Sequence, residues 1–138
     1  MLTNIRITNG NRMDILYKDL SYKLVGCCFE VHNNIGGGHK EKMYQKVLAI
    51  EFSRREIVYQ QQIPIDIKVH DYVVGKYILD FLVDDRIIIE IKSNRHFRMS
   101  DFRQANAYLQ ALNKQLALLV VFTTTHVRHK RVINLPTV

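Results

Sequence analysis

Ile78-Leu79-Asp80-Phe81-Leu82-Val83-Asp84-Asp85-Arg86-Ile87-Ile88-Ile89-Glu90-Ile91-Lys92 is the stretch whose reading decides the fold. Two apolar runs rich in β-branched residues flank a polar turn, the pattern of a β-hairpin. Side chains alternate faces along a strand, so Glu90 and Lys92 point the same way as Ile88, while Ile87, Ile89 and Ile91 point into a core. On the preceding strand, Tyr77, Leu79, Phe81 and Val83 are expected on one face and Asp80 on the other, with Ile78 and Leu82. A three-residue loop at Asp84-Asp85-Arg86 pairs Val83 with Ile87 and sets Asp80 opposite Glu90. A two-residue loop would oppose Asp80 to Ile89 and turn it to the wrong face. The three-residue loop, or a bulge with the same effect, is therefore predicted. It gathers two carboxylates and a lysine at one place on a rigid hairpin. Charged groups on an otherwise apolar strand are costly to bury without a purpose, and an oxygen-rich pair suits a hard divalent cation such as Mg²⁺. A partly buried ion pair holding the end of a sheet together is the plainer use of the same residues.

The chain has 138 residues, enough for one domain with a substantial core, and its 47% hydrophobic and 24% charged residues are globular proportions. A formal net charge of +7 favours a polyanionic partner, with nucleic acid ahead of a membrane surface because no basic amphipathic stretch stands out. Cys27 and Cys28 are adjacent and cannot easily bridge each other, so nothing argues for an oxidising compartment. No apolar run is long enough to span a membrane and no signal-peptide core is seen, so a soluble, cytoplasmic protein is expected. Residues 1–12 read as a flexible, polar lead-in, and residues 13–138 as a single domain.

A first helix is expected from Asp14, with Leu16, Leu20, Leu24, Cys28 and Val31 as its stripe, stopped by Asn33-Asn34 and Gly36-Gly37-Gly38. A second runs from about His39 to Arg55, with Met43, Val47, Leu48 and Ile50 on its apolar side. The triple glycine lacks the Gly-Lys-Ser/Thr of a phosphate-binding loop and reads as a helix connection. Glu41 is a first-turn acid that suits the helix dipole. Ile63, Ile65, Ile67 and Val69 mark a half-buried strand with Pro64 at an edge or a start, followed by a turn over Asp71 to Gly75. After Lys92 comes a basic loop in which Arg95 and Arg98 could touch phosphates and Phe97 could stack or pack. Ser100 can cap a third helix, Asp101 to Asn113, buried through Phe102, Ala105, Leu109 and Leu112. Gln115 to Phe122 reads as a central strand covered on both faces. Val127 to Leu135 reads as an edge strand or tail, and His126 and His129 with the cysteines give no zinc spacing.

With these pieces in order, the chain resembles the PD-(D/E)XK nuclease superfamily, and within it the small GxxExxY proteins. Gly38-His39-Lys40-Glu41-Lys42-Met43-Tyr44 carries the second name. Asp80 followed by Glu90-Ile91-Lys92 carries the first, and Gln104-Ala105-Asn106-Ala107-Tyr108 matches a glutamine helix. The proline before the first acid is absent, and Asp101 stands where relatives commonly show a histidine. The resemblance implies an α/β, restriction-endonuclease-like αβββαβ core, a mixed β-sheet flanked by helices, with an extra N-terminal helix. It implies a nuclease in which Asp80, Glu90 and the carbonyl of Ile91 ligate Mg²⁺ (or Mn²⁺), with Glu41 a further ligand or linked through water. Lys92 would position the attacking water, and Gln104 would hold the lysine or a phosphate. Arg95, Arg98, Arg103, Tyr44 and Tyr108 are the expected contacts to nucleic acid, with DNA preferred to RNA. Assembly as a homodimer is left open. A nucleic-acid-binding or assembly module that keeps the fold without the chemistry is the alternative.

Overall fold

The computed structural model describes residues 5–8 and 16–134. Its element order is β1 (Ile5–Thr8), α1 (Lys18–Ile35), α2 (Glu41–Arg54), β2 (Tyr59–Val69), β3 (Tyr72–Val83), β4 (Ile87–Ser93), α3 (Met99–Leu112), β5 (Leu116–Phe122) and β6 (Val127–Asn134). The strands form one six-stranded sheet in the order β1-β6-β5-β4-β3-β2. Only β4 and β5 run parallel, joined through α3, and the other neighbours are antiparallel. This is the expected α/β architecture: a mixed sheet between helices, with α1 preceding the αβββαβ core.

Two apolar clusters hold the three layers. On one face Leu24, Cys28 and Val31 of α1 and Tyr44, Leu48 and Phe52 of α2 pack on Ile87, Ile89 and Ile91. On the other, Phe102, Ala105, Tyr108 and Leu109 of α3 pack on Ile88, Ala117 and Leu119. Leu116 to Phe122 are all buried, and alternate members join opposite clusters, as a central strand requires. Both cysteines are free and buried.

Several expectations need correction. Within the supposed lead-in, Ile5 to Thr8 form a strand paired with β6. That pairing places β6 between β1 and β5, so it is no edge or tail, and Arg131 on it is buried against Ser21 of α1. Residue 14, the expected start of α1, and residues 1–4 and 9–12 of the lead-in lie outside the described residues. In α2, Met43 and Ile50 face solvent, while Tyr44 and Phe52 are buried in their place. The β2–β3 turn is tighter than expected: His70 and Asp71, at φ 48° and 67°, make it alone. Gly75 lies in β3, where the register slips after Ile67. Helix α3 starts at Met99, with Arg98 rather than Ser100 at its N-cap. There the Arg98 N–H donates to the Asp101 carboxylate, and the Asp101 N–H donates to the Arg98 carbonyl.

The loop between α1 and α2 explains the triple glycine. Gly36 and Gly38 take φ of 71° and 85°, and Tyr44 clamps the loop by donating its hydroxyl to the Gly36 carbonyl at 2.9 Å. Gly37 needs no unusual φ, but it lies against the Thr124 backbone so closely that a β-carbon would collide with it. Gly37→Ala is therefore expected to lower stability by about 1–3 kcal/mol in thermal unfolding. Gly75→Ala, facing open space, should change it little. Equal midpoints for the two variants would show that the loop yields freely.

Candidate active site

The β3–β4 loop has three residues, with Val83 opposite Ile87, Leu82 opposite Ile88 and Phe81 opposite Ile89. The next rung would pair Asp80 with Glu90, and here the ladder gives way to side chains. The Asp80 N–H donates to Glu90 Oε1 at 2.9 Å, and the Ile91 N–H donates to Asp80 Oδ2 at 2.7 Å. Each carboxylate thus takes a main-chain donor of the opposite strand. Both residues are buried, at 8% and 3% exposure.

Strand β3 changes sides at this point. Tyr77 contacts Tyr108 and Leu79 packs with α3, whereas Phe81 and Val83 pack with α1 and α2. The four were expected on one face. Across the hairpin, β2 reverses in the same way: Tyr59 packs toward α1 and α2, and Ile63, Ile65 and Ile67 toward α3. Gln62 between them has φ 54°. One residue in the left-handed region turns the following side chains to the opposite face. Asp80, at the crossing, is reached from the α2 side. Gln45 donates to Asp80 Oδ1 at 3.0 Å and accepts from Gln62 Nε2 at 3.2 Å. The sequence reading missed Gln45, although its spacing gives a signal: it follows Glu41 by four residues and so shares its helix face.

Burial is the main influence on the acids. It pushes the Glu90 carboxyl up to about 8 and that of Asp80 up to about 6. The Asp80 charge adds to the rise at Glu90, and the Glu41 charge adds at both, while hydrogen bonds and the Lys92 charge oppose it. Glu41 and Lys92 are therefore near enough for their fields to act on the pair. Among the described residues Lys92 forms no ion pair, and no three acidic, imidazole or thiol groups stand in a ready metal cluster. The donor set nevertheless fits a hard cation: two buried carboxylates with too little positive charge beside them take protons that a divalent ion would displace.

The other expected residues divide. Gln104 is half-buried on α3, one turn before Tyr108, whose hydroxyl is raised by burial and by the charges of Glu90 and Asp80. Tyr108 is itself buried in the α3 cluster, and Tyr44 is fully buried, stacked on Phe122 at 4.2 Å. Both rings are buried in the two clusters that flank the sheet. Arg95 is engaged twice by Asp101, at 2.6 and 2.8 Å. Burial raises the Asp101 carboxyl, but the bonds from Arg95 and the Arg98 N–H outweigh it and hold it below the usual range. Arg98 and Arg103 are exposed.

With this geometry in view, the signature of the PD-(D/E)XK nuclease superfamily matches residues 18–132, and the chain belongs to that superfamily. A search of the curated proteins finds no match. Among solved structures, one described as "Crystal structure of SSO0001" superposes with a TM-score of 0.53 at 19% identity, over 92% of this chain. This chain spans 61% of that protein's length. The likeness is one of fold. Among the described residues no helix is long and apolar enough to cross a membrane.

Because both carboxyls are raised on folding, the folded state holds more protons than the unfolded chain between the ordinary carboxylate range and about 8. Stability must fall as pH rises through that window. In chelator, wild-type stability should fall from about pH 5 to about pH 8, by at most about 1.4 kcal/mol per pH unit for each group, and the melting temperature should drop with it. Glu90→Gln, which cannot ionise, should flatten the slope. A wild-type midpoint indifferent to pH would refute the buried-acid description.

Proposed function

We propose that the chain is a metal-dependent nuclease that hydrolyses phosphodiester bonds of nucleic acid, with DNA favoured as substrate. The observation that carries this reading is the pair Asp80 and Glu90, buried where the β3–β4 ladder ends, with the fields of Glu41 and Lys92 reaching it. Membership of a nuclease superfamily and a net charge of +7 support it.

Asp80, Glu90 and the Ile91 carbonyl would hold Mg²⁺ or Mn²⁺, with Glu41 as a further ligand or joined through water. When bound, such an ion offsets phosphate charge and makes a water more acidic. Gln45 keeps Asp80 in place through its amide. Lys92, half-buried beside the acids, would supply a fixed cation to orient the attacking water and to offset charge as it builds on the phosphoryl oxygens. Water oxygen bonds to phosphorus in line with the departing ester oxygen, whose bond to phosphorus breaks. The water proton passes to solvent, and the departing oxygen takes one up. Gln104, half-buried on α3 one turn before Tyr108, would steady the lysine or a phosphate.

The test is incubation of plasmid and oligonucleotides with Mg²⁺ or Mn²⁺, comparing wild type with Glu90→Ala and Lys92→Ala. Each variant is expected to lose about 10²-fold or more in cleavage rate. Gln45→Ala should lose less, because it removes a support and leaves the acids. Cleavage by both Glu90→Ala and Lys92→Ala at the wild-type rate would trace the activity to a contaminant. A wild type that binds nucleic acid but leaves it intact under every metal would instead mark a binding module.

A further inference from the structure

Beside the acidic pair lies a second feature that the hydrolytic reading does not use. A groove of about 350 Å³ is lined by Asn94, Arg95, His96, the turn Thr123 to His126, and Arg128. It opens at the ends of β4 and β5, which run parallel, the end of a sheet where ligands commonly bind. Asn94 follows Lys92 by two residues, about 7 Å along an extended chain. Its side-chain amide donates to the His39 carbonyl at 3.3 Å, which ties the groove to the segment leading into Glu41. The groove and the acids therefore share one end of the molecule.

Among the described residues no carboxylate lines this groove. The guanidinium of Arg95 is already neutralised by Asp101, which leaves Arg128 as its uncompensated cation, exposed and without an ion pair among the described residues. Arg128 is nonetheless oriented. Its Nε–H donates to His126 Nε2 at 3.0 Å. An arginine Nε is always a donor, so Nε2 is the accepting nitrogen and the neutral ring carries its proton on Nδ1. Nδ1 lies 2.7 Å from Thr125 Oγ1 and donates to it. The Thr125 hydroxyl hydrogen is then free to turn outward. The turn beneath is fixed by Thr123, which exchanges hydrogen bonds with His126 through both its main chain and its hydroxyl. The chain Arg128–His126–Thr125 thus aims the two guanidinium NH₂ groups and one hydroxyl from a rigid turn. That donor set, with no nearby acid, matches the non-bridging oxygens of a phosphodiester.

Resting on the nuclease reading of the adjacent acids, we infer that this groove seats a backbone phosphate of the bound strand, next to the one cleaved, with Arg128 as its main ligand and Thr125 as a second. His126 is a positioning residue, acting through Arg128.

The experiment measures binding in chelator, where cleavage is stopped. Fluorescence anisotropy is read for a fluorescein-labelled DNA duplex, its single strand and the RNA equivalent, across a salt series. Arg128→Ala is expected to weaken binding about tenfold for every sequence, with the slope of log affinity against log salt smaller by about one. Arg128→Lys should keep the slope but not the full affinity, since an ammonium cannot hold His126 and grip two oxygens together. Thr125→Val should weaken binding with the slope unchanged, because a neutral donor releases no counter-ion. An unaltered melting temperature confirms the fold of each variant. Wild-type affinity and slope in Arg128→Ala would overturn the inference, as would loss in Arg128→Ala fully restored by Arg128→Lys. If the Arg128 pattern holds while Glu90→Ala cleaves like the wild type, the groove stands and the nuclease reading falls. If Glu90→Ala is inactive and Arg128→Ala binds normally, the reverse is true.

Discussion

The structure depends on one exchange: two carboxylates take over the rung of the ladder at which β3 and β4 part. A main-chain donor left unpaired inside a protein is costly, and so is a buried charge. Setting Asp80 on the Ile91 N–H and Glu90 on the Asp80 N–H meets the first demand with the groups that create the second. The strands can diverge there without orphaned donors, and the acids are fixed to within the tolerance of a hydrogen bond. The remaining cost is the burial of two charges, added to by their mutual repulsion and by Glu41, which shows as the raised proton affinity of both groups. A site held this way is stiff and short of positive charge, which is the condition for taking up a cation tightly.

Around that rung the rest of the molecule is arranged in layers. Helix α2 is anchored by Tyr44, Leu48 and Phe52 in the first cluster, and the same anchorage holds Gln45 on Asp80, with Glu41 one turn earlier on the helix. The glycine loop before it is pressed onto the turn after β5, and His32 of α1 bonds the Thr123 carbonyl at 2.9 Å. One set of packing contacts therefore positions the helix-borne acid, the carboxylate pair and the basic groove together.

What the sequence made legible follows from the range of the forces involved. The β4 pattern is local, and its alternation alone assigned Ile87, Ile89 and Ile91 to one cluster and Ile88 to the other. Loop length alone set the register of Asp80. The side-switch in β3 was not legible, because nothing in the alternation of β3 marks it; it coincides with the left-handed backbone of Gln62 on the neighbouring strand. The strand at Ile5 to Thr8 was missed because a four-residue alternation means little until β6, at the far end of the chain, is there to pair with it. Tyr44 and Tyr108 show a different limit. Motif spacing marks them as important without saying whether a ring meets a ligand or the core, and here each is buried. Arg95 is similar: its charge was visible, but the Asp101 that neutralises it sits on the next helix.

Strand β2 forms an open border of the sheet, and the hairpin it shares with β3 leaves Tyr72, Val73, Val74 and Ile78 uncovered. An uncovered, sticky border is where one copy of a protein can recruit another into an endless stack. Pro64 has no amide hydrogen to offer an incoming strand, the slip after Ile67 bends the rail, and Asp66 and Lys68 add charge along it. The arm can thus stay greasy on its surface while giving a growing fibril no straight template.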